Sequence, residues 1–461
     1  MSKQAPRAQW ASRLGFVLAA AGSAIGLGNI WKFPYITGQN GGGAFVLVYL
    51  VSIAIVGLPI MMAELMIGRQ TRRDAVGAFI KLEGKRSPWC AAGWISVAAA
   101  FIICSYYSVV AGWTLEYLYR SLLDSFSGQP AAAIEGMFGG LTANGPRQLF
   151  WHFVFMILCL GIVIGGVQKG IERWNKILMP ILFALMVLLF LNGLFSAGAW
   201  QGLAFMFRPD FGKLTPGSVL EALGHAFFTL SLGMAAMITY GSYLNRKENL
   251  LSASFRVVLL DTTISLMAGV AIFSVVFSVN MQPAAGPGLV FKTIPVVFSQ
   301  LPGGQFLAIV FFLLLAFAAL TSNISLLEAQ VAYLIDERGW GRKRASAFLA
   351  GLAFVVGIPT ALSYNLLSEW KVVAGLVFFD AADLLASNYL LPLSGLVTAI
   401  YVGWFWSGAE EKQQLLAGGA GWVYPAWHFL IRYISPLAVA VVLYFKVRDT
   451  GLFAWIAALL G

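Results

Sequence analysis

Residues 22–34, Gly-Ser-Ala-Ile-Gly-Leu-Gly-Asn-Ile-Trp-Lys-Phe-Pro, place glycines and an amide inside an otherwise apolar run. That pattern predicts a helix that opens halfway across a bilayer and bares its carbonyls and N–H groups. In hydrocarbon each unsatisfied backbone group costs several kcal/mol, so irregular backbone survives there only where protein, ions or substrate supply partners. The chemistry implied is ligation by oxygen and capture of charged ligand ends. A second such stretch, Phe227-Phe228-Thr229-Leu230-Ser231-Leu232-Gly233-Met234-Ala235-Ala236, interrupts the sixth apolar run with hydroxyls and a glycine. Asp261 stands within the seventh, where an ionisable group is expensive and usually functional. Ser265 follows it at i+4 on the same helix face.

The elements that must position these residues are membrane helices. The chain has 461 residues, 59% hydrophobic and only 11% charged, with a mean hydropathy of +0.80. This composition predicts an all-α polytopic membrane protein. Apolar runs long enough to span, roughly 17–25 residues each, fall near 14–36, 43–67, 90–119, 149–166, 174–196, 219–243, 255–279, 304–335, 346–365, 372–405 and 424–446. The first run carries no small-residue cleavage site and is read as a helix rather than a signal peptide. The two broken runs lie five spans apart, which predicts two five-helix units, 10–200 and 215–406, with 424–446 as an additional helix and 1–461 forming one transport domain. Units joined through an odd number of spans enter the membrane in opposite directions, so their broken first helices meet antiparallel near the midplane. Small residues also serve close helix packing, which either stretch alone would satisfy.

A formal charge of +10 could suggest a nucleic-acid partner, but its distribution argues for orientation instead. With a cytoplasmic N-terminus, that side receives Lys3, Arg7, Arg13, the Arg69–Arg86 cluster, Lys169, Arg173, Lys176, Arg246, Lys247, Arg256, Arg338, Arg342, Lys343, Arg344 and Lys412. The positive-inside rule then puts an odd-numbered bundle's C-terminus outside. The expectation is a multi-pass inner (plasma) membrane protein whose partners are the lipid bilayer and a small molecule, with no nucleic acid and no obligate protein partner. Cys90, Cys104 and Cys159, like His152, His225 and His428, show no metal-ligand spacing. There is no Gly-Lys-Ser/Thr phosphate loop, and no nucleophile with an oriented base, so an enzyme is not expected.

Five pieces of the chain resemble one family, the neurotransmitter:sodium symporters in their bacterial amino-acid-transporting branch. They are Trp10-Ala-Ser-Arg13-Leu-Gly, Gly26-Leu-Gly-Asn29-Ile-Trp-Lys32-Phe-Pro34, Asn40-Gly-Gly-Gly43-Ala-Phe, Phe228-Thr-Leu-Ser231-Leu-Gly and Leu320-Thr-Ser-Asn-Ile-Ser325. The resemblance implies a leucine-transporter-like five-plus-five inverted repeat and sodium-driven uptake of amino acids or related solutes. It further implies two sodium sites built from oxygen, the ligand type that hard cations prefer. The first would use the Ala24 carbonyl, Asn29, Thr229, Asp261 and the substrate carboxylate. The second would use the carbonyls of Gly22, Ile25 and Ala318 with the hydroxyls of Thr321 and Ser322. Isolated helix hydroxyls also bond back to their own helix, which is the plainer reading of the last two.

By the same resemblance, the N–H groups of Leu27 and Gly28 and the Tyr107 hydroxyl would hold a substrate carboxylate. The amine would meet carbonyls of Ala24, Phe228 and Thr229 and the Ser231 hydroxyl. Gly26 stands where monoamine carriers place an aspartate, which favours α-amino acids. The walls carried over are Ser23, Ile103, Phe228, Met234, Met237, Asn323 and Leu326, implying neutral hydrophobic or aromatic L-amino acids, with Asn323 the residue that could upset this. Lys32 with Asp383 would close the outside; Arg7 with Asp336, helped by Trp10 and Tyr243, the inside; Glu64 would cap the second break. A carboxylate at 261 supplies the negative charge that chloride provides in relatives with asparagine there, so transport is expected to be chloride-independent. A proton-coupled permease and a non-transporting amino-acid sensor remain alternatives.

Overall fold

The computed structural model describes residues 8–246, 248–281, 288–373, 375–406, 408–417, 419 and 421–449. Among the described residues nine helices are long and apolar enough to span: α2 (Gly43–Thr71), α3 (Cys90–Leu122), α4 (Gly145–Ile164), α5 (Val167–Leu194), α7 (Leu250–Ser278), α8 (Gly304–Arg338), α9 (Arg342–Ala361), α10 (Phe378–Phe405) and α11 (Gly421–Arg448). Two further spans are broken. In α1 the halves Arg13–Ala24 and Gly28–Gln39 are bent by 48°. In α6 the halves are Pro216–Thr229 and Ala236–Ser242. Each expected apolar run thus corresponds to one span.

Local sequence explains where both broken helices begin. Ser12 caps α1 by accepting the Gly15 N–H, and Thr215 with Ser218 forms a capping box ahead of Pro216 in the first turn of α6. Local sequence does not explain how they break. Ile25 turns to extended backbone (ψ 102°). In α6, Ser231 (φ 54°), Gly233 (φ 72°) and Ala235 (φ 59°) are all left-handed. For a residue with a Cβ that conformation costs about 1–2 kcal/mol, so the two non-glycine positions are held by partners elsewhere.

Those partners come from neighbouring spans. The Glu64 carboxylate on α2 accepts the Gly233 N–H at 2.8 Å, and the Ser231 hydroxyl donates to the Ser23 carbonyl at 2.8 Å. Gly233 also lies against the backbone of Leu391 in α10, where a Cβ would collide. The short second half of α6 packs on α2 through glycines on both sides: a Cβ at Gly241 would meet the Leu65 carbonyl at 2.6 Å, and one at Gly68 would strike the Ile238 carbonyl.

Several helices that do not span were not anticipated from hydropathy. They include Ala75–Glu83, Ala131–Ala143, Ala199–Phe207 and Gly408–Ala417. The last lies across the end of α2, where the fully buried Arg69 donates to the Gln414 side chain (2.7 Å) and carbonyl (2.6 Å) and to the Glu248 carbonyl (2.7 Å). Overpacking a tight backbone contact costs about 1–3 kcal/mol or more. Gly68→Val is therefore expected to lower the melting temperature of the purified protein and reduce its monodisperse yield, whereas Gly136→Val, which meets nothing within 4 Å, leaves both unchanged.

Candidate ion and substrate site

The two breaks face each other around a closed-in cavity near the middle of the bundle. From α1 it is lined by Ser23, Ala24, Gly26 and Gly28, and from α3 by Ile103 and Tyr107. The α6 break contributes Phe228, Thr229, Ser231 and Met234, and α8 contributes Ser322 and Leu326. The Leu27 N–H reaches the Tyr107 hydroxyl at 3.0 Å, so an opened main-chain donor and a phenol converge at one end. Ser23 lies between the Ser231 (3.1 Å) and Ser325 (2.7 Å) hydroxyls at the other.

Two residues expected in the wall are not there. Asn323 turns its amide toward α4, with Nδ2 3.3 Å from the Cys159 sulfur and 3.8 Å from the Met156 sulfur. Helix spacing is the reason: Ser322 and Leu326, four residues apart, share the cavity face, and Asn323, one residue after Ser322, is rotated from it by about 100°. Met237 is fully buried, the second residue of the Ala236–Ser242 half of α6, and does not line the cavity.

Beside the cavity, Asp261 gathers donors from three other helices. Its Oδ1 accepts from Asn29 Nδ2 (2.7 Å) and the Thr229 hydroxyl (2.8 Å), and Oδ2 accepts from the Tyr49 hydroxyl (3.4 Å). Asn29 also donates to the Ser265 hydroxyl at 2.8 Å, while its own Oδ1 accepts the Gly26 N–H at 2.9 Å. Asn29, Asp261 and Ser265 are wholly buried. A second oxygen group lies between α1 and α8. The Ser322 hydroxyl is 3.3 Å from both the Gly22 and Ile25 carbonyls. Thr321 bonds back to the Phe317 (3.0 Å) and Ala318 (3.1 Å) carbonyls of its own helix, which sets its oxygen beside that of Ala318.

The chain matches the model of the Sodium:neurotransmitter symporter family over residues 7–130 and 134–453. It belongs to that family. It is 44% identical over 445 residues to the sodium-dependent transporter YhdH of Bacillus subtilis, covering 96% of this chain and 98% of that one. A sodium-dependent dopamine transporter of Caenorhabditis elegans is 27% identical over 443 residues, covering 81% of this chain and 71% of that one. Among solved structures, that of MhsT in complex with L-phenylalanine superposes with a TM-score of 0.89 at 46% identity, covering 96% of this chain and 100% of that chain. The protein is thus a sodium-dependent, multi-pass membrane transporter and not an enzyme, with the leucine-transporter-like arrangement of two broken helices.

In this symporter the Phe228 ring is shared between the cavity and a vestibule that also holds Lys32, Glu221, His225 and Asp383. Lys32 and Asp383 face the same vestibule, but among the described residues no ion pair within 4 Å joins them. The Lys32 ammonium instead lies 4.9 Å over the Phe228 ring, and Asp383 accepts from Tyr106 (2.9 Å) and Ser387 (2.7 Å). The opposite end is tightly packed. Trp10 donates its indole N–H to the Tyr240 carbonyl (3.1 Å) and its main-chain N–H to the Tyr243 carbonyl (3.2 Å), with both tyrosine rings edge-on to it. Asp336 accepts the Asp74 N–H at 2.9 Å; Arg7 lies outside the described residues. The sequence left the role of Glu328 open; it is buried in α8, accepts from Tyr243 (2.8 Å) and is forked by Arg342 (2.6 and 2.9 Å). The signal was available, since Glu328 is an ionisable residue inside a span just as Asp261 is.

Glu64 holds the α6 break through one acceptor oxygen. An orphaned buried N–H costs about 1–3 kcal/mol. Glu64→Gln, which keeps an acceptor, is expected to retain most substrate binding at saturating sodium, whereas Glu64→Leu weakens it roughly tenfold or more, read by equilibrium binding on the purified protein.

Proposed function

We propose that this symporter uses two sodium ions, and no chloride, to import neutral hydrophobic or aromatic L-amino acids by alternating access. The observation that carries the reading is the Asp261 carboxylate, fully buried between the two breaks and taking hydrogen bonds from α1, α2 and α6. A buried carboxylate in a span is stable only with compensation, and a cation held by the Ala24 carbonyl, Asn29, Thr229 and Asp261 supplies it. The same negative charge does the work that a halide would do beside Ser265. A second cation would take the oxygens of Gly22, Ile25, Ala318, Thr321 and Ser322, where the Ser322 hydroxyl bridges the Gly22 and Ile25 carbonyls.

Substrate class follows from the space around Gly26. A Cβ there would lie 2.5 Å from the Ser322 hydroxyl and 2.7 Å from the Tyr107 hydroxyl, so no side chain can pair with a substrate amine at this place. An α-amino acid brings its own carboxylate, which suits the Leu27 and Gly28 N–H groups, Tyr107 and the first cation. The amine suits the Ala24, Phe228 and Thr229 carbonyls and Ser231. Beyond these, Ile103, Phe228, Met234 and Leu326 offer apolar surface, and Asn323 no longer adds an amide to that wall. Met234 is flexible enough to yield to a large side chain. The similar structure named for L-phenylalanine supports the same class. We place the N-terminus and the Trp10 closure in the cytoplasm, the 10–200 and 215–406 units as inverted repeats, and the C-terminus outside.

Proteoliposomes with an inward sodium gradient are expected to accumulate labelled phenylalanine, tryptophan and leucine, and those with an equal potassium gradient are not. Binding without accumulation would indicate a sensor, and uptake that follows a proton gradient without sodium would indicate a permease. Replacing chloride by gluconate is expected to leave uptake unchanged in the native protein. Asp261→Asn is expected to lose most uptake in gluconate and regain part of it in chloride; a native protein that stops in gluconate would overturn the halide-free reading.

A further inference from the structure

The two candidate cation sites draw on α1, α6, α7 and α8, yet a buried amide on α5 points at one of them. Asn175 is completely buried, and its Nδ2 donates to the Ile171 carbonyl at 2.9 Å. That bond fixes the orientation of the amide, because only the nitrogen end can face a carbonyl. The other end, Oδ1, is buried without any hydrogen-bond partner. It is aimed at Gly22: a Cβ on Gly22 would run into Asn175 Oδ1, and that same point lies 3.2 Å from the Thr321 Cβ. An amide oxygen in an apolar bundle thus projects into the junction of Gly22 and Thr321, two of the residues read above as ligands of the second cation.

We propose that Asn175 supplies an oxygen of α5 to the second sodium site, so that this cation is shared by α1, α5 and α8. The inference rests on the reading of that site given under the proposed function. A carboxamide oxygen is a ligand type that hard cations accept, and a buried polar atom without a partner is otherwise a net cost that membrane interiors rarely carry. Gly22 has no side chain at the point where Asn175 Oδ1 approaches, a point that also lies 3.2 Å from the Met179 sulfur. Asn175 is a cation-site residue with no contact to the amino-acid cavity, so its effect is confined to the ion.

The test is direct binding of radioactive sodium to the purified full-length protein, alongside amino-acid binding at saturating sodium. Asn175→Leu keeps the bulk and removes the oxygen; it is expected to raise the sodium concentration for half-saturation roughly tenfold, about the effect of losing one polar contact to a charge. Amino-acid affinity at saturating sodium stays within about twofold, because the cavity is untouched. Asn175→Asp keeps the oxygen and adds charge, and is expected to lower the half-saturating sodium concentration; it carries the test alone should the leucine variant not fold. Sodium curves that superpose on the native one for either folded variant overturn the proposal and leave Asn175 a packing amide. Ser322→Ala separates the two layers of the argument. If it weakens sodium binding while the Asn175 variants do not, only this inference fails; if it too changes nothing, the second-site reading itself fails.

Discussion

The bilayer interior offers no water to an opened helix, and the architecture of this symporter follows from that one restriction. Two spans are broken, and each break is satisfied by groups from outside its own helix. Gly233 gives its N–H to Glu64, Leu27 gives its N–H to Tyr107, and the Ser23 carbonyl receives the Ser231 hydroxyl. The last of these joins one break to the other. Neither could persist with its partner straightened, because each then loses acceptors that lipid cannot replace. The glycine contacts between α2 and α6 serve the same end by bringing the Glu64 carboxylate within reach.

Asp261 adds charge to this arrangement. Its carboxylate ties α1, α2 and α6 to α7, so the cation proposed beside it would act on four helices at once. Breaking a buried, hydrogen-bonded charge is far more costly than the small net gain of forming it. In the proposed cycle the empty and loaded states would therefore differ in how four helices are held together, which gives an ion gradient a physical means of biasing it. The second oxygen group has a different character. It is made of carbonyls and hydroxyls without formal charge, and its occupant compensates backbone rather than a side chain.

Most of this was legible before the fold was known, because the bilayer punishes polar groups severely enough to make each one informative. The glycine-polar interruptions at 22–34 and 227–236 lie at the two breaks, and the long apolar runs correspond to spans. Resemblance supplied residue pairings that hydropathy never could, such as Asn29 with Asp261. What stayed hidden has physical causes. Asn323 was misplaced because one residue along a helix changes the face, and motif adjacency carries no rotational information. Lys32 and Asp383 share a vestibule without touching, since the reach of a flexible lysine is decided by aromatic neighbours as well as by charge. Helices outside the bilayer, such as Gly408–Ala417, leave weak hydropathy signals, and the burial of Arg69 beneath that segment depends on loop geometry.

The position of Phe228 also bears on time. On the Lys32 and Asp383 side the Phe228 ring lines both the cavity and the vestibule, and swinging a ring is a side-chain event of picoseconds to nanoseconds once space exists. On the Trp10 side, the barrier is a packed indole between two tyrosines, tied to main-chain carbonyls and followed by a forked carboxylate–guanidinium pair; releasing it moves whole helix segments, which takes microseconds to milliseconds. The two faces of the molecule therefore run on different clocks. In the proposed cycle substrate exchange with the vestibule would be the rapid pre-equilibrium, and the slow, committing step would belong to the opposite end.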